Sequence, residues 1–496
     1  MKLASIQLPI WKPRSISTPG AFDVDPEFMT APMPKILWIE LTSKCPFDCA
    51  FCTRKVRFGA GRHLDFDLYG RLIAELDSPD FIGLNYSGES IYYPKLLEAI
   101  ALATSTGAAT ELVTAFSTIS EPLLRGIVES GLDRLAISLH TMDPQQYQRI
   151  YRFGSLELLK RRVADFLEWK AKLGVQKPRL DFCFVAMSEN LDQLQAVAEY
   201  AIAAGVPELS IHPIIGRHLV PHDFSTELVK SRLRDEFKGA LRDAIHAVRG
   251  PHPGFTLNVL NPDLDPEPRL SRAPAYYAPA LPTQARIYSC DQSPFESVHI
   301  LSSGNVVVCE VHDEVSLGNL ATQSLREIWT GERYHEFRRR YVSASVPECR
   351  TCVWKLAYEP QQWTSGVIVA DGMSPQLLRG WHSHEGADLI WGKKEALVAI
   401  ANPYRRKRVR IAGVLPHANG GESNHLAVSC NHRQIGGFDN RSAAFASFDV
   451  VLSLPEEWDR LYLVLWTSHL HCPSLHTSTS DSRDLGVGLT RVEVCD

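Results

Sequence analysis

Cys45, Cys49 and Cys52 lie in one short run, Cys45-Pro46-Phe47-Asp48-Cys49-Ala50-Phe51-Cys52, directly behind the apolar stretch Ile36-Leu37-Trp38-Ile39-Glu40-Leu41. A short apolar run bounded by polar residues reads as a buried strand. The thiols therefore hang from the C-terminal end of a strand, the end where α/β folds gather their chemistry. Thiolates are the usual ligands of iron–sulfur clusters, and spacings of three and two residues let one loop wrap three corners of a cubane, leaving one iron open to a small molecule. Zinc is the alternative, but it wants a fourth Cys or His close by. The nearest, His63, lies beyond a basic, glycine-containing loop.

Behind this loop the chain alternates strand and helix. Strands are expected at 82–86, 111–115, 135–139, 180–187 and 208–214, with helices over 94–106, 121–130, 156–173 and 191–204. Such alternation implies a parallel sheet with helical cover. Six strands are too few for a closed eight-stranded barrel.

The CxxxCxxC loop, with Phe51 before its last cysteine, resembles that of the radical S-adenosylmethionine (SAM) enzymes, whose partial (β/α)6 barrel matches the strand count. The resemblance implies a [4Fe–4S] cluster on Cys45, Cys49 and Cys52 that binds SAM, cleaves it to a 5′-deoxyadenosyl radical and so removes hydrogen from a substrate. Ser87-Gly88-Glu89 resembles the family's Gly-Gly-Glu turn toward the SAM amino group, with serine in place of the first glycine. Glycine permits close backbone approach, and a carboxylate suits an ammonium. Ser138, in Ala136-Ile137-Ser138-Leu139-His140, matches the strand-four SAM contact, and Thr114 is a further SAM candidate. Asn190 reads as a helix N-cap.

A second cysteine set follows: Cys290, Cys309, Cys349 and Cys352. Ser302-Ser303-Gly304-Asn305 reads as a hairpin turn that carries Cys309 back toward Cys290. With Gly318-Asn319 and Ile328-Trp329, this set resembles the SPASM/Twitch extension of radical SAM enzymes, in its shorter Twitch form, and implies an auxiliary [4Fe–4S] cluster. From about Ser365 short alternating strands separated by glycine turns read as a β-sandwich. The expected architecture is an N-terminal extension (1–34), the α/β partial barrel (35–235), a linker or loop region (236–285), a small α+β auxiliary-cluster domain (286–362) and an all-β sandwich (363–496).

Gly380-Trp381-His382, Trp391 and Asp484-Leu485-Gly486-Val487 resemble sandwich modules of glycan biosynthesis proteins, and Trp381 or Trp466 would stack on sugar faces if exposed. In outline the whole resembles the radical SAM sugar epimerases of avilamycin-type oligosaccharide antibiotic pathways. The expected reaction is epimerisation of a sugar carbon in an oligosaccharide or glycosylated small molecule. The alternatives are dehydrogenation of a sugar or aminocyclitol alcohol and maturation of a peptide. Peptide maturases often carry a leader-binding domain before the barrel, whereas strand one begins here at Ile36. An epimerase needs a hydrogen donor, and Cys183 is the candidate: period-two alternation puts it on one face with Asp181 and Val185. His212, His140 and Glu40 are candidate acid–base groups, and Tyr86, Tyr92 and Tyr93 alternative donors.

The formal charge is −5 and the basic cluster Arg405 to Arg410 is short, which argues against a nucleic-acid partner. Neither a signal-peptide h-region nor an apolar run of about 18 residues is present. Eleven cysteines at ligand-like spacings argue against a disulfide framework. A reducing cytoplasm is expected, with a flavodoxin or ferredoxin as electron donor.

Overall fold

The computed structural model describes residues 33–214, most of 223–260 and most of 289–496; 1–32, 215–222, 261–288 and shorter stretches, among them 350–354, 357–363 and 383–387, lie outside the described residues. Six strands follow in chain order: β1 (Ile36–Ile39), β2 (Phe81–Gly83), β3 (Ala109–Thr114), β4 (Arg134–Ser138), β5 (Arg179–Ala186) and β6 (Glu208–Pro213). Each pairs in parallel with the next. The connecting helices turn apolar stripes to the sheet. In Leu156–Leu173 the buried residues Leu156, Leu159, Val163 and Phe166 recur at helical spacing, and its Ser155 side chain caps the Leu158 N–H as a helix start requires.

The sheet is wider than six strands. Thr256–Val259 joins the far side of β6 in parallel, and Ser297–Ile300 joins β1 in parallel. Asn305–Val307 and Gly318–Asn319 then add antiparallel at that edge, completing ten strands. Among the described residues the end strands do not pair with each other, so the barrel is partial. The stretch read as a linker thus opens with a helix, Asp235–Arg249, and a sheet strand. The auxiliary domain begins as an integral part of the barrel sheet.

The C-terminal module is a nine-stranded antiparallel sheet. Its long strand Ile390–Ala401 changes partners along its length. Ile390 and Trp391 pair with Leu489 and Gly488, whereas Glu395 to Ala401 pair with Trp466 to Arg460. The sheet therefore folds over its own core, which includes Val398, Ile400, Ile411, Val428, Leu463 and Val492.

This module sits against the N-terminal ends of the barrel strands. Lys35 meets Asp484 at 3.7 Å, and Trp466 lies 5.8 Å from Phe295 between ring centroids. A cavity of about 1000 Å³ remains between the two, walled by Lys35, Asp80 and Glu296 on one side and His382, Lys393 and Arg483 on the other. Trp466 is buried in this contact, and Trp381 is half-buried with its indole N–H on the Leu397 carbonyl at 2.9 Å. Neither is the exposed sugar platform its composition invited, because the sheet and the interface use both rings as packing.

Candidate functional site

Every candidate from the first half of the chain lies at or above the C-terminal ends of β1 to β6. The three-cysteine loop is held by its neighbours. Ala50 N–H donates to Ile150 O at 2.9 Å and Asp48 N–H to Tyr151 O at 3.3 Å. Buried Arg54 gives Nη1 to the carbonyls of Ser43 (3.0 Å) and Gly59 (3.1 Å), and Phe51 sets its ring edge against His140. Cys45, Cys49 and Cys52 form no disulfide and are half-buried. Burial first, then the charge of Glu89, pushes Cys45 up to about 12. Burial and then the neighbouring thiols raise Cys49 well above the usual thiol range. Ligation by these groups must therefore expel protons. Among the described residues no three His, Cys, Asp or Glu side chains gather tightly enough for a single metal ion.

The Ser87-Gly88-Glu89 turn wedges against this loop. Glu89 N–H donates to Lys44 O at 3.0 Å, and a Cβ on Gly88 would overlap the Thr42 carbonyl oxygen. Glu89 is buried, with Oε2 accepting from Ala115 N–H at 2.8 Å and Oε1 without a partner. Burial pushes its carboxyl up to about 7 against the hydrogen bonds from Thr114 and Ala115. An orphaned buried carboxylate oxygen beside a glycine too crowded for any side chain fits a bound ammonium group. Thr114 therefore stands behind Glu89. Phe116 follows at φ +61°, a conformation bulky residues rarely adopt, and it directs the Ala115 N–H at Glu89. Ser87 gives its hydroxyl to buried Glu40, whose other oxygen accepts from Ser302 N–H (2.9 Å) and Oγ (2.7 Å).

The barrel interior is layered. At its floor Arg134 pairs with Glu111 and Asp181, and Arg179 with Asp181 at 2.8 Å and Glu208 at 3.0 Å. One layer up, Cys183 Sγ and His212 Nε2 are 2.9 Å apart. Period-two alternation does put Arg179, Asp181, Cys183 and Val185 on the inner face, while Phe182 stacks outward on Tyr200. Burial, with smaller carboxylate charges, pushes the Cys183 thiol up to about 12. Burial and then Arg134 lower His212 to about 4. Both are neutral at pH 7, so the pair holds an S–H beside an imidazole. Ser138 ends β4 in register with Cys183, half-buried, with its carbonyl taking the Tyr151 hydroxyl at 2.8 Å. His140 is buried and stacks on Tyr151; its Nδ1 accepts from Val185 N–H at 3.2 Å. Asn190 braces this layer instead of capping its helix, reaching the His140 and Val185 carbonyls at 3.0 Å each. Tyr92 and Tyr93 point elsewhere, to Thr118 and the Leu64 carbonyl.

In the auxiliary region the hairpin turns at Gly304, φ +82°, and returns to buried Cys309. Cys290 lies in a short strand paired with Lys355. Cys349 is half-buried; Cys352 and the side chain of Cys290 lie outside the described residues.

Residues 39–216 match the family model of the Radical SAM superfamily, and residues 290–353 match that of SPASM, an iron-sulfur cluster-binding domain. The chain carries a radical SAM domain. A SPASM domain follows it, and the cofactors of this pair are SAM and two [4Fe–4S] clusters. The chain is 21% identical over 386 residues to a tungsten-containing aldehyde ferredoxin oxidoreductase cofactor-modifying protein of Pyrococcus furiosus, covering 74% of this chain and 97% of that one. It is 27% identical over 341 residues to the PqqA peptide cyclase of Ruegeria pomeroyi, covering 65% and 81% respectively. Among solved structures, SuiB of Streptococcus suis bound to SAM aligns at 12% identity and a TM-score of 0.49, over 65% of this chain and 72% of that one. No helix among the described residues is long and apolar enough to cross a membrane.

Proposed function

We propose that this chain is a radical SAM enzyme that modifies a peptide. The observation that carries the reading is the similarity to PqqA peptide cyclases, which extends over 81% of that relative's length. The sandwich packs at the end of the barrel opposite the three-cysteine loop, so its placement does not tie the loop to a sugar.

When bound, SAM and its cluster supply a 5′-deoxyadenosyl radical that abstracts hydrogen. In this reading Cys45, Cys49 and Cys52 hold the cluster, and Cys290, Cys309, Cys349 and Cys352 hold the auxiliary one. Gly88 would let the turn approach the SAM ammonium, Glu89 with Thr114 behind it would hold that group, and Ser138 would line the SAM site. The inner face of β4 to β6 receives the peptide. The wall of Glu111, Arg134 and Asp181 is already paired, so it shapes the lumen without binding charge.

A second reading has one observation of its own. The Cys183 thiol stays protonated, lies on the lumen face and touches His212. A carbon radical above it could take the sulfur-bound hydrogen, forming C–H and breaking S–H, which would invert a residue's configuration; the thiyl left behind needs one electron and one proton from a reductant to regenerate.

The test uses anaerobically reconstituted protein, dithionite, SAM and a panel of short candidate peptides, in D₂O. Peptide product two mass units lighter, in step with 5′-deoxyadenosine, supports oxidative cross-linking. Product carrying one deuterium with unchanged composition, abolished in Cys183→Ala, supports inversion. Coupling to oligosaccharides and to no peptide sinks the peptide reading.

A further inference from the structure

Two contacts tie the auxiliary domain into the SAM site from opposite sides. On one side Ser302, at the hairpin turn, donates to Glu40 through both its N–H and its hydroxyl. Its oxygen also meets Ser43 Oγ at 2.9 Å. Glu40 in turn holds Ser87, the first residue of the SAM turn, and Ser43 lies two positions before Cys45. On the other side Asp313 accepts the Tyr86 hydroxyl at 2.6 Å and pairs with Arg57. Tyr86 precedes Ser87, and Arg57 sits in the helix Arg54–Phe58 that follows Cys52. The Asp313 side chain is 1% exposed and that of Arg57 9%, so water does not screen this pair.

Cys309 lies between Ser302 and Asp313 in the chain. The residue before it, Val308, offers its carbonyl to His299 Nδ1 at 3.3 Å, and the His299 ring sets its edge on Tyr86 at 5.6 Å. Both stretches that would hold SAM and its cluster, Ser43 to Arg57 and Tyr86 to Glu89, are therefore fixed by groups from the segment that carries an auxiliary cysteine. A domain serving only to pass electrons has no need of buried charged contacts to this turn.

We propose that Ser302 and Asp313 are positioning residues through which the auxiliary cysteine site sets the SAM-binding turn, so that SAM affinity depends on the state of the second cysteine set. The proposal rests on the reading of Ser87-Gly88-Glu89 and the three-cysteine loop as the SAM site. Asp313 acts by holding Tyr86 and Arg57 at once. Without it both donors lose this acceptor, and the turn and the loop lose a common anchor.

The experiment measures SAM dissociation constants by anaerobic equilibrium dialysis of labelled SAM on the reconstituted full chain. Iron per chain and the EPR spectrum of the reduced cluster, with and without SAM, are recorded alongside. Asp313→Asn should weaken SAM binding about tenfold, the scale of a lost charged hydrogen bond, with iron content unchanged. Arg57→Gln should act similarly, and the double variant should be no worse than Asp313→Asn alone, because the two residues work as a unit. Cys309→Ser should lose the auxiliary iron and weaken SAM binding too, while the three-cysteine loop still binds its cluster. If Asp313→Asn does not fold, Tyr86→Phe removes only one hydroxyl and should cost about threefold. Wild-type SAM affinity in Cys309→Ser or in Asp313→Asn, with the first cluster intact, overturns the proposal. Failure of the unaltered chain to bind SAM at all would instead overturn the underlying site reading, and the proposal with it.

Discussion

The two ends of the barrel strands are built from similar residues to opposite purposes. At the floor, Glu111, Asp181 and Glu208 are each paired with Arg134 or Arg179, so the charges neutralise one another. At the mouth, Glu89 keeps a buried oxygen without a partner, Phe116 takes a strained backbone and Gly88 leaves no room for a side chain. Asp181 Oδ1 lacks a hydrogen-bond partner as well, but its carboxylate is ion-paired to two arginines; a buried carboxyl held by hydrogen bonds alone, beside strained backbone, marks a place kept for a ligand. The same residue type thus reads as structure or as site according to its partners.

The comparison breaks most visibly at the floor. Arg134→Met would leave Glu111 without its cation and buried Asp181 with Arg179 alone, and breaking such a pair by removing one partner costs about 3–5 kcal/mol at most. Urea unfolding of the apo chain should register most of that loss, and a change under about 1 kcal/mol would mean the floor is solvated like a surface. The next effect concerns His212. Its folded pKa is lowered to about 4 from 6.5, so the unfolded chain binds a proton that the folded chain refuses between those values. Stability from this group is present above pH 6.5 and is lost as pH falls toward 4, by about 3 kcal/mol over the window. His212→Gln should flatten that part of the stability–pH curve; an unchanged slope there would show that other groups carry it.

Much of this molecule was legible in its sequence because much of it is local. The β–α rhythm and the cysteine spacing need only neighbours within one turn or one strand. Alternation alone put Cys183 and Asp181 on a common face. What stayed hidden depends on distant partners. Ser297–Ile300 reads as half of a hairpin, and nothing in it shows that it pairs with β1 as well. Glu40 lies 262 positions from Ser302 and looks like one polar residue in an apolar run. The Cys183–His212 contact joins two candidates whose sequence signals were separate. The floor of ion pairs had a faint signal, charged residues near the starts of β3 to β6, which alternation could have exposed. The sandwich was correctly read as all-β, but its docking site is a tertiary fact that no run of residues encodes.

The remaining predictions sharpen the same contrast. Gly88→Ala forces a Cβ onto the Thr42 carbonyl oxygen, and relief requires backbone movement in the cluster loop. Backbone displacement of this kind costs roughly 1–3 kcal/mol, so SAM binding should weaken about tenfold to a hundredfold while iron content holds. Equilibrium dialysis reads it, and unchanged affinity would remove Gly88 from the SAM site. The smallest effect belongs to the far end. Lys35 and Asp484 join barrel and sandwich at 3.7 Å with side chains 24% and 32% exposed. Solvent screens such a pair, which contributes about 0.5 kcal/mol or less. Lys35→Met should therefore leave SAM affinity and 5′-deoxyadenosine formation as they are and lower the melting temperature only slightly. If it weakened SAM binding instead, the floor would be coupled to the mouth through the strands themselves, and the division of the barrel into a rigid end and a ligand end would fail.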